Sequence, residues 1–197
     1  TAPRKPAASP GAAKGKALPP RPLPGDMTRD EFLERLIRVD HAGEYGAERI
    51  YAGQLAVLGD SDMGPVLEHM AEQELVHKQT FEKMIVERRV RPTALLPLWH
   101  VFGYAMGAGT AMMGRRAAMA CTVAVEEVID EHYASQQKRL GPDEAELWEA
   151  IERFRLEELE HRDIGLANEA ELTPGYKALA GAIKGITRTA IWLSERI

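Results

Sequence analysis

Apolar positions recur with helical spacing from residue 28 onward, and no long stretch alternates as a strand would. Thr28 and Glu31 form Thr-x-x-Glu, a capping box that opens a helix. Leu33, Leu36, Ile37, Ile50, Leu55 and Leu58 then mark one face of it, and Gly59 ends it. A second helix is predicted over about 62–90, with Pro65 in its first turn, where proline is tolerated. Gly141-Pro142 precedes a helix over about 143–171, and Thr173-Pro174-Gly175 opens a last one over about 176–197. Leu179, Ile183, Ile186, Ala190 and Leu193 form an apolar stripe there, with Lys177, Lys184 and Arg188 off it. Such a helix packs its stripe on a bundle or lies on a membrane surface.

The middle of the chain breaks this amphipathic pattern. From Pro92 to Gly114 there is no Asp, Glu, Lys or Arg, which as one helix would be about 34 Å long. Length alone would allow a membrane span. Pro97 and the return of the next helix to a water-soluble bundle favour attachment at the interface instead, with residues 95–113 an apolar helix facing lipid or a lipid-like tail. Residues 1–25 are rich in Pro, Ala and Lys and lack acidic residues, so they are expected to be a disordered tail before a single domain over 26–197. A net charge of −5 argues against nucleic-acid binding. The single cysteine, Cys121, excludes an intrachain disulfide, and its apolar surroundings predict a buried thiol.

The candidate chemistry lies in two Glu-x-x-His motifs, Glu74 with His77 and Glu158 with His161. On a helix, positions i and i+3 share a face, so the two side chains can grip one ion. In a chain this rich in glutamate, one such motif is near chance level. The spacing to two further glutamates lifts the pair above chance. A carboxylate-bridged two-metal bundle takes one Glu from each of two helices and Glu-x-x-His from each of the other two. Glu44 precedes the first motif and Glu126 the second, and the two halves are offset by 82, 84 and 84 residues at Glu44/Glu126, Glu74/Glu158 and His77/His161. Two helix hairpins related by a pseudo-two-fold axis are therefore expected, in an all-α four-helix bundle with an extra amphipathic C-terminal helix.

Four carboxylates and two imidazoles suit iron or manganese better than structural zinc. Two ions about 4 Å apart can bind and reduce dioxygen between them. Glu74 and Glu158 are the natural bridging carboxylates, and Glu44 and Glu126 the terminal ones. Spacing does not choose between Glu126 and its neighbour Glu127. His41, His69, His100 and His132 carry no partner legible in sequence, and Tyr45 and Trp99 are candidates for the border of a pocket. An iron-storage bundle would share the six residues but not the uncharged stretch. A manganese catalase would differ in metal content and peroxide turnover.

The residues Arg38-Val-Asp-His-Ala-Gly-Glu-Tyr-Gly-Ala47 resemble the demethoxyubiquinone hydroxylase family, the di-iron, ferritin-like monooxygenases of ubiquinone biosynthesis. So do Val90-Arg-Pro-Thr93, Pro97-Leu-Trp99, Gly107-Ala-Gly-Thr110, Ala118-Met-Ala-Cys-Thr-Val-Ala-Val-Glu-Glu127, Glu157-Glu-Leu-Glu-His161, Asp163-Ile-Gly165 and Leu193-Ser-Glu-Arg-Ile197. The likeness runs from about Asp26 to the end. It implies that Glu44, Glu74, His77, Glu126, Glu158 and His161 bind two iron ions, and it selects Glu126 over Glu127. It also implies ring hydroxylation of a polyprenyl demethoxyubiquinol with O2 as co-substrate, the electrons coming from NADH or from the quinol itself. The expected partners are the quinol, a membrane surface and a lipid-binding protein of the same pathway. The expected location is peripheral, on the cytoplasmic face of a bacterial cell membrane or the matrix face of the mitochondrial inner membrane.

Overall fold

In the computed structural model, residue 23 and residues 25–197 are described, so the tail expected over 1–25 lies almost wholly outside the described residues. Six α-helices follow in order: α1 (Arg29–Leu58), α2 (Gly64–Glu87), α3 (Leu96–Met112), α4 (Arg115–Gln137), α5 (Ala145–Ala167) and α6 (Tyr176–Ser194). The Thr28 side chain accepts from the Glu31 N–H while Glu31 reaches back to the Thr28 backbone, the capping box expected at the start of α1. Gly59 closes α1 by donating its N–H to the Leu55 carbonyl at 2.8 Å. Short 3-10 turns at Pro142–Glu144 and Ala170–Leu172 flank α5, so the regular helix there is shorter than the sequence pattern suggests.

The hairpins α1–α2 and α4–α5 form the four-helix bundle, while α3 lies along α1 and α6 along α4. Two apolar plugs fill the space between the hairpins. One holds Phe32, Leu36, Ile37, Phe81, Phe154 and Tyr133. The other holds Tyr51, Met63, Leu67, Met70, Met119 and Val123. Truncating a fully buried ring such as Phe154, packed at 4.1 Å between centroids on His77, would cost about 3–5 kcal/mol. Cys121 is fully buried beside Ile50, Ala124 and Val125, and burial pushes its thiol up to about 12.

The uncharged stretch is not one long helix. Its N-terminal residues form a turn, and Gly114, at φ 109°, breaks the chain between α3 and α4. The 17 residues of α3 therefore span about 25 Å. Among the described residues no helix is long and apolar enough to cross a membrane, which corrects the allowance made for a span on length alone. Instead α3 presses backbone to backbone on α1. A Cβ on Gly53 would lie 2.2 Å from the Tyr104 carbonyl oxygen, and one on Gly107 would lie 2.0 Å from that of Ile50. Only glycine permits this approach. In α6, Ile183 of the stripe packs against α4 with Leu179 beside it, so part of the stripe is spent on the bundle while Ile186 remains exposed.

Candidate metal centre

The helical register of each hairpin turns three side chains into the space between the plugs. Glu44 comes from α1, Glu74 and His77 from α2, Glu126 from α4, and Glu158 and His161 from α5; all six are buried. They form two overlapping groups. Glu44, Glu74, His77 and Glu158 place ligand-type atoms within 4.8 Å of one another, and so do Glu74, Glu126, Glu158 and His161. Glu74 and Glu158 belong to both groups. His77 Nδ1 stands 3.1 Å from Glu158 and 3.4 Å from Glu44, and His161 Nδ1 stands 3.2 Å from both Glu74 and Glu158. Glu127 points away and pairs with Lys184 on α6. The phase of α4 thus places Glu126, and not its neighbour, in the cluster.

Burying four carboxylates is costly unless cations compensate. Desolvation and mutual repulsion push Glu74 and Glu126 well above the ordinary carboxylate value. Burial alone would lower His77, but the Glu158 and Glu44 carboxylates overcome it and push it up to about 12. Burial works against ionisation of Glu158, but the two histidines hold it down to about 2. Both oxygens of Glu74, one of Glu158 and the Nδ1 atoms of His77 and His161 have no hydrogen-bond partner. Oxygen and imidazole donors that converge, are buried and lack partners fit a divalent metal pair in both number and chemistry.

Sequence reasoning missed the groups that hold these six in place. Tyr51 of α1 donates to Glu126 Oε1 at 3.0 Å, and Tyr133 of α4 donates to Glu44. Each hairpin's tyrosine therefore orients the other hairpin's glutamate. The two tyrosines are offset by 82 residues, like Glu44 and Glu126, so the repeat itself was a signal for them. The outer nitrogens of the histidines are also held across the bundle: His161 Nε2 lies 2.9 Å from Gln73 Oε1, and His77 Nε2 contacts Glu157. The other histidines stand outside both groups. His41 is buried, His69 is exposed, His100 bonds Tyr45 at 2.8 Å, and His132 lies 3.3 Å from the buried Asp40. Trp99 lines an apolar cleft and donates to Ser194 at 3.0 Å, whereas Tyr45 faces His100 and is not part of that cleft.

Residues 31–194 match the family described as Ubiquinone biosynthesis protein COQ7. The chain belongs to the COQ7 family. A Rhodospirillum rubrum protein named 3-demethoxyubiquinol 3-hydroxylase is 55% identical over 187 residues, covering 94% of this chain and 88% of that protein. A human protein named NADPH-dependent 3-demethoxyubiquinone 3-hydroxylase, mitochondrial, is 50% identical over 194 residues, covering 94% and 89%. The Saccharomyces cerevisiae 5-demethoxyubiquinone hydroxylase, mitochondrial, is 45% identical over 183 residues, covering 84% and 78%. The stretch matched to the COQ7 family contains all six clustered residues and both tyrosines.

Proposed function

We propose that this chain is a di-iron monooxygenase of ubiquinone biosynthesis. It hydroxylates the ring of a polyprenyl demethoxyubiquinol, a 6-methoxy-3-methyl-2-polyprenyl-1,4-benzoquinol. The carrying observation is the pair of overlapping ligand groups, buried between apolar plugs, that share Glu74 and Glu158. Glu44, Glu74, His77, Glu126, Glu158 and His161 would hold two irons, with Glu74 and Glu158 bridging. A bound iron pair supplies reduction and activation of dioxygen, for which two electrons come from NADH or from the quinol itself. Relatives named NADPH-dependent favour a reduced nicotinamide as the source.

The chain's own part is to hold, orient and exclude. Tyr51 and Tyr133 fix Glu126 and Glu44, and the plugs keep water from both ends of the cluster. An apolar cleft lies between α1, α3, α4 and α6. Gly43 and Ala47 beside Glu44, and Val125 beside Glu126, form one wall of it; Trp99, Phe102 and Met106 form another. A quinol ring seated there would meet the cluster side, with its prenyl tail between α3 and α6. Outside the cleft, Leu98, Val101, Met112, Met113 and Trp192 present exposed apolar surface on those same helices. They support peripheral attachment to a bacterial or mitochondrial inner membrane, where a lipid-binding protein of the pathway would deliver the quinol.

Anaerobic loading with ferrous iron and a demethoxyquinol analogue, followed by admission of oxygen, tests this reading. Hydroxylated product is expected. Iron uptake without product would favour storage instead. Alkaline carbonate should release the protein from membranes, and retention in the pellet would contradict peripheral attachment.

A further inference from the structure

The two halves of the centre match closely, so the positions at which they differ are informative. Tyr51 and Tyr133 are related by the same 82-residue offset as Glu44 and Glu126, and Gln54 and Gln136 by it as well. The residue immediately before each shared glutamate reaches across the bundle to the other hairpin's histidine. At this position the halves diverge: His161 faces the neutral amide of Gln73, while His77 faces the carboxylate of Glu157. A second divergence lies one helical turn before the single glutamates. Thr122 precedes Glu126 and accepts from Gln54 at 3.4 Å; Asp40 precedes Glu44 and accepts from Gln136 at 2.7 Å. Both carboxyl-bearing members fall on the Glu44–His77 side.

An imidazole that donates its outer N–H to a carboxylate is a stronger donor at its other nitrogen than one bonded to an amide. The orientation of the two rings is similar, with Nδ1 toward the cluster in both, so the difference is mainly one of charge. We propose that the two half-sites are inequivalent: the Glu44–His77 half-site takes the first metal ion and holds it more tightly, because Glu157 backs His77 where Gln73 backs His161. Glu157 and Gln73 are positioning residues that act through the histidines. The inference rests on the di-iron reading and adds an order of filling to it.

Anaerobic titration of the full chain with ferrous iron tests it, using ⁵⁷Fe for one equivalent and Mössbauer spectra as the second readout. Wild type should bind two ions in resolved steps, and the first equivalent should give one quadrupole doublet. Glu157→Gln keeps an acceptor for His77 but removes the charge. It should weaken the first step about 10–100-fold and split the first equivalent between two doublets. Gln73→Glu should tighten the second step and leave the first unchanged, and the double exchange should reverse the assignment. Thermal melts in the absence of metal report whether each variant folds, and Gln73→Glu tests the idea even where Glu157→Gln fails to fold. Equal or cooperative binding in wild type would overturn the inequivalence while leaving the di-iron reading intact, as would constants unchanged in the folded variants. Failure of wild type to bind two ions would overturn the di-iron reading itself.

Discussion

Gly107→Ala, paired with Gly109→Ala, puts the α1–α3 contact to a sharp test. The two glycines sit two residues apart in the same helix, but their surroundings are opposite. A Cβ on Gly109 meets nothing within 4 Å, while one on Gly107 lies 2.0 Å from the Ile50 carbonyl oxygen, 2.8 Å from its carbon and 3.0 Å from its Cα. Those atoms are backbone in the middle of α1 and cannot rotate away. To restore even the 3.0 Å below which real Cβ contacts are essentially unknown, the helices must part by about 1 Å. Overpacking of this kind costs about 1–3 kcal/mol, and a clash against backbone belongs at the upper end. Alanine returns up to about 1 kcal/mol of helix propensity at either position. The net expectation is a loss of about 2 kcal/mol for Gly107→Ala and a gain of about 0.5–1 kcal/mol for Gly109→Ala. For a domain of this size that corresponds to melting shifts of about −4 to −8 °C and +1 to +4 °C. Differential scanning calorimetry reads both. A Gly107→Ala protein as stable as wild type would refute the backbone-to-backbone packing of α3 on α1.

Other consequences can be measured independently. Tyr51→Phe and Tyr133→Phe remove the hydroxyls that orient Glu126 and Glu44, and each should weaken ferrous binding about 10–100-fold in an anaerobic titration; unchanged constants would remove the tyrosines from the centre. Glu126→Gln should lose bound iron, while Glu127→Gln should keep two ions and cost less than about 1 kcal/mol in a melt, because it gives up only a half-exposed pair with Lys184. The metal-free protein should lose stability as pH rises. Glu74 and Glu126, raised above 4.5 when folded, hold protons that the unfolded chain releases, so their penalty grows above that pH. His77, raised from 6.5 to about 12, contributes stability that is complete below 6.5 and fades toward 12. Glu158, lowered from 4.5 to about 2, acts oppositely, its contribution lost only as pH falls below 4.5 toward 2. Melting curves from pH 5 to 9 should therefore slope downward without metal and flatten with ferrous iron; a rising metal-free curve would contradict the assigned directions.

Much of this architecture was legible because a buried charge cluster leaves a periodic trace. Glu74–His77 and Glu158–His161 show helical spacing on their own, and the near-constant offsets to Glu44 and Glu126 show that the same hairpin occurs twice. Glu126 could not be separated from Glu127 by counting, since both lie in the same turn; only the packing of α4 shows Glu126 buried in the cluster and Glu127 turned to Lys184 on α6. The extent of the uncharged helix was legible, residues 95–113 against Leu96–Met112 for α3, but its glycine contact with α1 was hidden because hydropathy records polarity and not the packing partner. The exchange of tyrosines and outer-nitrogen partners between hairpins left no local signal, and only the 82-residue repeat marked the tyrosines. Each donor and acceptor lies on different helices, about 75–90 residues apart, with no local spacing to betray the contact.

The central claim, two irons held by these six side chains for oxygen chemistry, is tested most directly at Glu158, which touches both histidines and belongs to both ligand groups. Iron per chain is measured after anaerobic ferrous loading in wild type and in Glu158→Ala, with a single oxygen turnover on a demethoxyquinol analogue in the same samples. Wild type should bind two ions and give hydroxylated product, and a folded Glu158→Ala should show neither the iron pair nor product. Full hydroxylation by Glu158→Ala, or by wild type without bound iron, would contradict the central claim.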